Sequence, residues 1–174
     1  MKHERYIRKL LCMVRFGDDL AKLSDCKRQQ QGAVIFPVDC SMVYSIGYNG
    51  PARGRSNTSC LGEDAVGFCG CAHAECNAVA KFNPHSAKES VMYCTTEPCA
   101  WCANAILNAG RIRGIIYRNT YRDPQGRNII VDSSRISMIA VAHLESPSAE
   151  EEALLNGILD RWQEIVKGNS IAGI

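Results

Sequence analysis

A chain of 174 residues with 46% hydrophobic and 7% aromatic content can bury one well-packed core and is too short for two comfortable ones. A formal net charge of +2 is close to balance, so the bulk composition proposes no polyanionic partner, although a local patch stays open. No apolar run approaches membrane-spanning length. The start, Met1-Lys2-His3-Glu4-Arg5, leads into an amphipathic stretch rather than a secretory signal. The expectation is a soluble cytoplasmic protein with no membrane partner, in which ten cysteines read as metal ligands and reduced thiols rather than disulfides.

In chain order, Tyr6, Ile7, Leu10, Leu11, Val14 and Leu20 recur at helical spacing and predict a helix over residues 2–23. Residues 32–38 and 42–48 are short apolar runs rich in β-branched side chains, separated by Asp39-Cys40-Ser41, and read as a hairpin. Residues 50–72 carry Gly, Pro, Ser, Asn and Thr with little periodicity and predict a long loop, which in a compact domain is functional or tied down. A helix from His73, a strand at 90–95, a helix from Cys99 ending at Gly110, and a strand at 114–118 follow. Asp123-Pro124-Gln125-Gly126 breaks the chain, the segment after it has no clear pattern, and 136–141 is a fifth strand.

The tail, at about 148–167, is an amphipathic helix with Ser148 as its cap and Glu150, Glu151 and Glu152 in the first turn, where the helix dipole favours acids. Leu154, Leu155, Ile158, Leu159, Trp162, Ile165 and Val166 form its apolar face. That face either covers the domain's own sheet or makes a subunit contact. Helices alternating with strands predict an α/β fold: a three-layer α/β/α sandwich around a mixed five-stranded sheet, one domain over residues 1–174.

Chemistry concentrates in two segments, His73-Ala74-Glu75 and Pro98-Cys99-Ala100-Trp101-Cys102, with Cys99 26 positions after His73. His73, Cys99 and Cys102 supply three zinc ligands and leave one corner of the tetrahedron open, whereas a structural site fills all four. Glu75 lies two residues from His73 and can hold a water without binding the metal. Both groups are expected at helix N-termini, whose positive ends favour thiolate over thiol and an ionised Glu75. Pro98 suits a helix start, since its missing N–H has no partner to lose there. The alternatives are a structural zinc knuckle or a redox C-x-x-C pair, neither of which needs His-Ala-Glu at this distance.

This pattern resembles the signature of zinc-dependent nucleobase deaminases. Gly32-Ala33-Val34, Gly47-Tyr48-Asn49-Gly50, His73-Ala74-Glu75-Cys76-Asn77-Ala78, Pro98-Cys99-Ala100-Trp101-Cys102, Asn108-Ala109-Gly110 and Tyr117 are similar in order and spacing to the deoxycytidylate (dCMP) deaminase family over about residues 5–142. The resemblance implies a cytidine deaminase-like fold and hydrolytic conversion of dCMP to dUMP and ammonia, which supplies thymidylate synthesis. It implies a catalytic zinc on His73, Cys99 and Cys102, and Glu75 as base and acid. Substrate contacts would come from Asn49, from backbone at Ala74 and near Thr95 to Glu97, and from Tyr121. Two of these have plain readings as well, Asn49-Gly50 as a turn pair and Tyr121 as a strand cap.

Similar enzymes are often hexamers, activated by dCTP and inhibited by dTTP, so a homo-oligomer and an effector loop around Gly47, Tyr48, Gly50 and Arg53 are implied. Pro51 follows Gly50 directly, whereas relatives commonly place a proline two residues after that motif, so the loop departs from theirs. Some phage and bacterial relatives carry an additional zinc in the regions of Cys26, Cys60, Cys69 and Cys71, where four thiolates would close a tetrahedron and pin the loop. Unligated thiols are the alternative, because C-x-C spacing alone is weak. Cys12, Cys40, Cys76 and Cys94 read as buried small apolar residues.

Two other function classes fit the same zinc and glutamate. A tRNA adenosine or polynucleotide cytidine deaminase would need a basic groove for a flipped base, for which Arg53, Arg55 and the Arg111, Arg113, Arg118 cluster are the candidates. A catalytically silent zinc-binding module is the reading without enzymatic activity, disfavoured by a retained Glu75 beside an open metal corner.

Overall fold

The structure, a computed structural model, describes residues 3–62 and 69–168. Helix α1 (Glu4–Ala21) leads into strands β1 (Gly32–Pro37) and β2 (Ser45–Tyr48). The loop after them contains β3 (Gly50–Pro51), a 3-10 turn (Asn57–Ser59) and β4 (Cys71–Ala72). Next come α2 (Ala74–Val79), β5 (Ser90–Thr96), α3 (Ala100–Ala109), β6 (Ile112–Asn119), α4 (Gln125–Asp132), β7 (Ser137–Ala140), α5 (Val141–Glu145) and α6 (Ala149–Val166).

The main sheet has the order β2-β1-β5-β6-β7. β1 runs antiparallel to β2 and β5, while β5, β6 and β7 are mutually parallel. The mixed five-stranded sheet expected from the sequence is therefore present. Its strands read as nearly continuous apolar runs because both faces are covered. Along β1, Val34 and Phe36 face a core shared with Leu10, Val14, Leu159 and Trp162, while Ala33 and Ile35 face another shared with Ala78, Ala103, Ile106 and Ile130. Tyr93 and Ile116 join the first core, Met92 and Ile115 the second, as a period of two requires. Helices α1, α5 and α6 form one outer layer and α2, α3 and α4 the other.

The structure refines several expectations. Residues 50–72 are not wholly irregular, since β3 and β4 pair antiparallel through Gly50↔Ala72 and Pro51↔Cys71 and close the loop just ahead of His73. The unassigned segment after Pro124 is α4, and the unforeseen α5 follows β7. Within the apolar face expected of α6, Leu155, Ile158, Leu159 and Trp162 are buried, but Leu154 and Val166 are exposed and do not belong to it. Trp162 packs against Gly114 of β6, where a Cβ would stand 2.0 Å from its ring. The helix thus covers the chain's own sheet. Cys94 is buried and Cys40 half-buried, whereas Cys12 is exposed, so its reading as a buried apolar residue is corrected.

Candidate metal centre and substrate cavity

His73 and Cys99 occupy equivalent places in two different elements. Each is the N-cap of its helix in extended backbone, His73 ahead of α2 and Cys99 ahead of α3. His73 Nδ1 lies 3.5 Å from Cys99 Sγ and 3.4 Å from Cys102 Sγ. Zinc bound tetrahedrally at ~2.1 Å to nitrogen and ~2.3 Å to sulfur places such ligand pairs roughly 3.6 Å apart, so the three donors fit the ion. The neighbouring Cys102 and His73 side chains pull the Cys99 thiol down to about 4, which keeps it a thiolate ligand. Cys76 is half-buried, and its Sγ sits 3.6 Å from that of Cys102. It borders the metal centre rather than the apolar core.

Glu75 is buried one residue into α2, and burial pushes its carboxyl up to about 7. A dication on the adjacent ligands would draw it back down. With His73 and Cys99 it lines a cavity of about 340 Å³. Asn49, Ala74, Thr95 and Tyr121, the expected substrate residues, all line the same cavity.

The side chain of Asn49 is engaged on both sides, accepting from the Gln31 backbone N–H at 2.7 Å and donating to the Gln29 carbonyl at 2.7 Å. Its evident task is to hold residues 29–31 as a cavity wall. One amide proton and one lone pair remain for a ligand. Of the expected effector residues, Gly47, Tyr48, Gly50 and Arg53 are not part of this cavity. Gly47 has a packing role instead, since a Cβ there would meet the Ala74 carbonyl at 2.0 Å.

Nothing in the sequence marks Arg28, Gln31 or Arg122 as site residues, yet they too line the cavity, as does Thr96 within the expected Thr95 to Glu97 stretch. Gln31 Oε1 accepts from the Thr95 hydroxyl, which in turn accepts from the Gly32 N–H. The Gln31 amide protons are thereby left available. The buried Thr96 hydroxyl has no partner among the described residues. Strand pairing between β1 and β5 assembles this wall, and only the register reveals it.

Cys26, Cys60, Cys69 and Cys71 come together as a second cluster, their sulfurs all within 4.8 Å of one another. Cys26 Sγ stands 3.8 Å from Cys60 Sγ and 3.9 Å from Cys69 Sγ. The edge of a zinc tetrathiolate with ~2.3 Å bonds is roughly 3.8 Å. Hydrogen bonds from the backbone of Gly62 and Lys27 lower the Cys60 thiol to about 6, while burial raises that of its neighbour Cys71.

The three-layer fold caps two helices with His73 and Cys99 and buries a carboxylate beside them, which makes a three-donor metal site with one corner open. The chain matches the family described as the cytidine and deoxycytidylate deaminase zinc-binding region over residues 8–119 and belongs to it. It is similar to deoxycytidylate deaminase of Schizosaccharomyces pombe, 29% identical over 136 residues, covering 72% of this chain and 39% of the relative. It is also similar to deoxycytidylate deaminase of Mycobacterium phage D29, 31% identical over 110 residues, covering 56% and 84%. The crystal structure of dCMP deaminase from cyanophage S-TIM5 in complex with dCMP and dUMP superposes with a TM-score of 0.65 at 27% identity, covering 74% of this chain and 93% of that one. The chain spans only about two-fifths of the length of the yeast relatives it matches, 39% in Schizosaccharomyces pombe and 43% in Saccharomyces cerevisiae.

Proposed function

We propose that this protein is a zinc-dependent deaminase that converts dCMP to dUMP and ammonia. One observation carries the reading: three metal donors with an open corner share a cavity with a buried glutamate, in a fold similar to that of a cyanophage enzyme crystallised with dCMP and dUMP. His73, Cys99 and Cys102 would hold the catalytic ion. Bound there, zinc supplies Lewis acidity that makes water a competent nucleophile near neutral pH. Glu75 takes the proton that water gives up, delivers it to N3 of the ring, and later carries a proton to the departing 4-amino group. A buried carboxylate beside the ion can serve both directions of transfer. Asn49, the Ala74 backbone, Thr95 and Tyr121 would bind the nucleoside, and Arg28 and Arg122 place cationic charge in the cavity for a phosphate.

The same proposal includes a structural zinc on Cys26, Cys60, Cys69 and Cys71, supported by the sulfur spacing. It takes residues 1–174 as one domain, supported by the burial of α6 on the sheet. A homo-oligomer, often a hexamer in similar enzymes, is supported by exposed Trp101, Val131 and Leu154. A cytoplasmic location is supported by ten unpaired cysteines. Regulation by dCTP and dTTP at Gly47, Tyr48, Gly50 and Arg53 rests on the family resemblance alone.

A polynucleotide substrate is less well supported. Arg111 and Arg113 both pair with Glu89, at 2.9 and 2.6 Å, and Arg118 pairs with Asp18 at 2.6 Å, which neutralises the cluster a phosphate backbone would need. The test is ammonia release from dCMP, CMP, deoxycytidine, dCTP and tRNA. The expected result is turnover of dCMP far ahead of deoxycytidine, because an unfilled phosphate site leaves charged groups unpaired. CMP should also be poorer. Turnover of a tRNA stem-loop with inert dCMP would transfer the chemistry to the polynucleotide class, and a zinc-loaded protein inert on the whole panel would make it a silent module.

A further inference from the structure

Glu97 is a carboxylate that the proposed proton transfers do not use. Its side chain is 1% exposed, a placement that is unfavourable unless the charge is well partnered. Arg127 and the chain at Tyr121 partner it, with the Tyr117 hydroxyl also close by. Arg127 Nε donates to Oε1 at 2.8 Å and Nη2 to Oε2 at 2.8 Å, and the Tyr121 backbone N–H donates to Oε2 at 3.0 Å.

Other contacts fasten the same two segments. The Glu97 N–H donates to the Asn119 carbonyl at 2.9 Å, and the Asn119 side-chain amide donates to the Thr95 carbonyl at 3.0 Å. Gly126 of α4 lies so close to the turn that a Cβ there would stand 1.9 Å from the Pro98 carbonyl. The end of β6 is thereby stitched onto the turn that presents Cys99. Thr120, Tyr121 and Arg122, the residues stitched down, line the cavity, whereas Arg127 itself does not.

We propose that Arg127 is a positioning residue for substrate: through the buried Glu97 carboxylate it fixes the Tyr121 backbone, and with it the Thr120 to Arg122 wall of the cavity. The planar fork of arginine meets both carboxylate oxygens at once, which a lysine cannot do. Arg127 lies beyond the family-matched residues 8–119, so the latch comes from a part of the chain outside the zinc-binding region. The kinetic side of this inference rests on the deamination reading.

The test uses Arg127→Met and Arg127→Lys in the full chain, measuring KM and kcat for dCMP, zinc content, and hydrogen exchange at the Tyr121 amide. Because the wall lies outside the His73, Glu75, Cys99 and Cys102 set, Arg127→Met should raise KM roughly 10- to 100-fold with a much smaller fall in kcat. Zinc should stay bound, and the Tyr121 amide should exchange faster. Arg127→Lys, which keeps the charge but loses the fork, should recover part of the KM. A purely structural ion pair predicts that zinc content and kcat fall together with KM unmoved, and that result, or an unaltered Tyr121 amide, overturns the inference. Should the wild-type protein turn over no dCMP, the deamination reading fails by itself. The latch is then decided by the Tyr121 amide alone, faster exchange with zinc retained supporting it and unchanged exchange overturning it. If Arg127→Met does not fold, the same amide is read in Arg127→Lys.

Discussion

Glu75 and His73 stand two residues apart, yet their surroundings assign them opposite tasks. His73 caps its helix and turns Nδ1 toward two sulfurs, while Glu75 enters a buried position with no thiol as partner. Glu75→Gln preserves size and hydrogen-bonding shape but cannot carry a proton. Zinc content and melting temperature should be retained while turnover falls about 10²- to 10⁴-fold. Metal analysis with an ammonia assay checks this, and near wild-type turnover would end the proton-carrier role. His73→Ala should instead lose metal and activity together. These residues were legible because each half of the motif is local, a few positions at the start of one helix. Arg28, Gln31 and Arg122 were not, since the pairing of β1 with β5 and the turn after β6 bring them in, and no periodicity encodes such register. Asn49 was legible as a polar residue at a strand end, but its engagement by Gln29 and Gln31 was not.

Among the elements, the stretch from 50 to 72 shows how composition underdescribes a segment. Gly, Pro and Ser announced a loop, and β3 pairing with β4 could not be read from two-residue strands. The four cysteines are what make sense of it: Cys60 and Cys69 lie in the loop, Cys71 at its end, and Cys26 approaches from beyond α1. If zinc closes this cluster, Cys60→Ser should lower the zinc stoichiometry by one equivalent, leave the catalytic ion in place, and make residues 50–72 readily cleaved by protease. A single ion per wild-type chain, lost on Cys99→Ser, would refute the structural site. The α6 terminus, by contrast, was fully legible. Ser148 accepts from the Glu151 N–H at 3.3 Å and Glu151 accepts from the Ser148 N–H at 2.8 Å, a capping box between residues three apart. Ser148→Ala should cost about 1 kcal/mol, measurable by urea denaturation. Helices α4 and α5 escaped notice because eight and five residues are too few to display a helical period.

At the scale of the whole molecule, the α6 stripe posed a question that its own sequence could not answer: an apolar face must be buried, but against what. Trp162 answers it by packing on Gly114 of β6, within the core that joins α1, α5 and the sheet. Leu154, one step around the helix, stays 65% exposed. The two residues therefore separate the helix's two candidate roles. Trp162→Ala removes a side chain that is 2% exposed from a site whose neighbours cannot collapse, because the sheet beneath is fixed by strand pairing on either side. A loss of about 3–5 kcal/mol is expected, seen as a lower melting temperature at every protein concentration. Leu154→Glu should leave the stability of the folded chain within about 0.5 kcal/mol. Its effect belongs to assembly: if copies of the chain meet across this face, sedimentation should show a shift toward smaller species. Should Trp162→Ala leave stability intact, or lower it only when the protein is dilute, α6 would be serving a subunit contact rather than its own sheet.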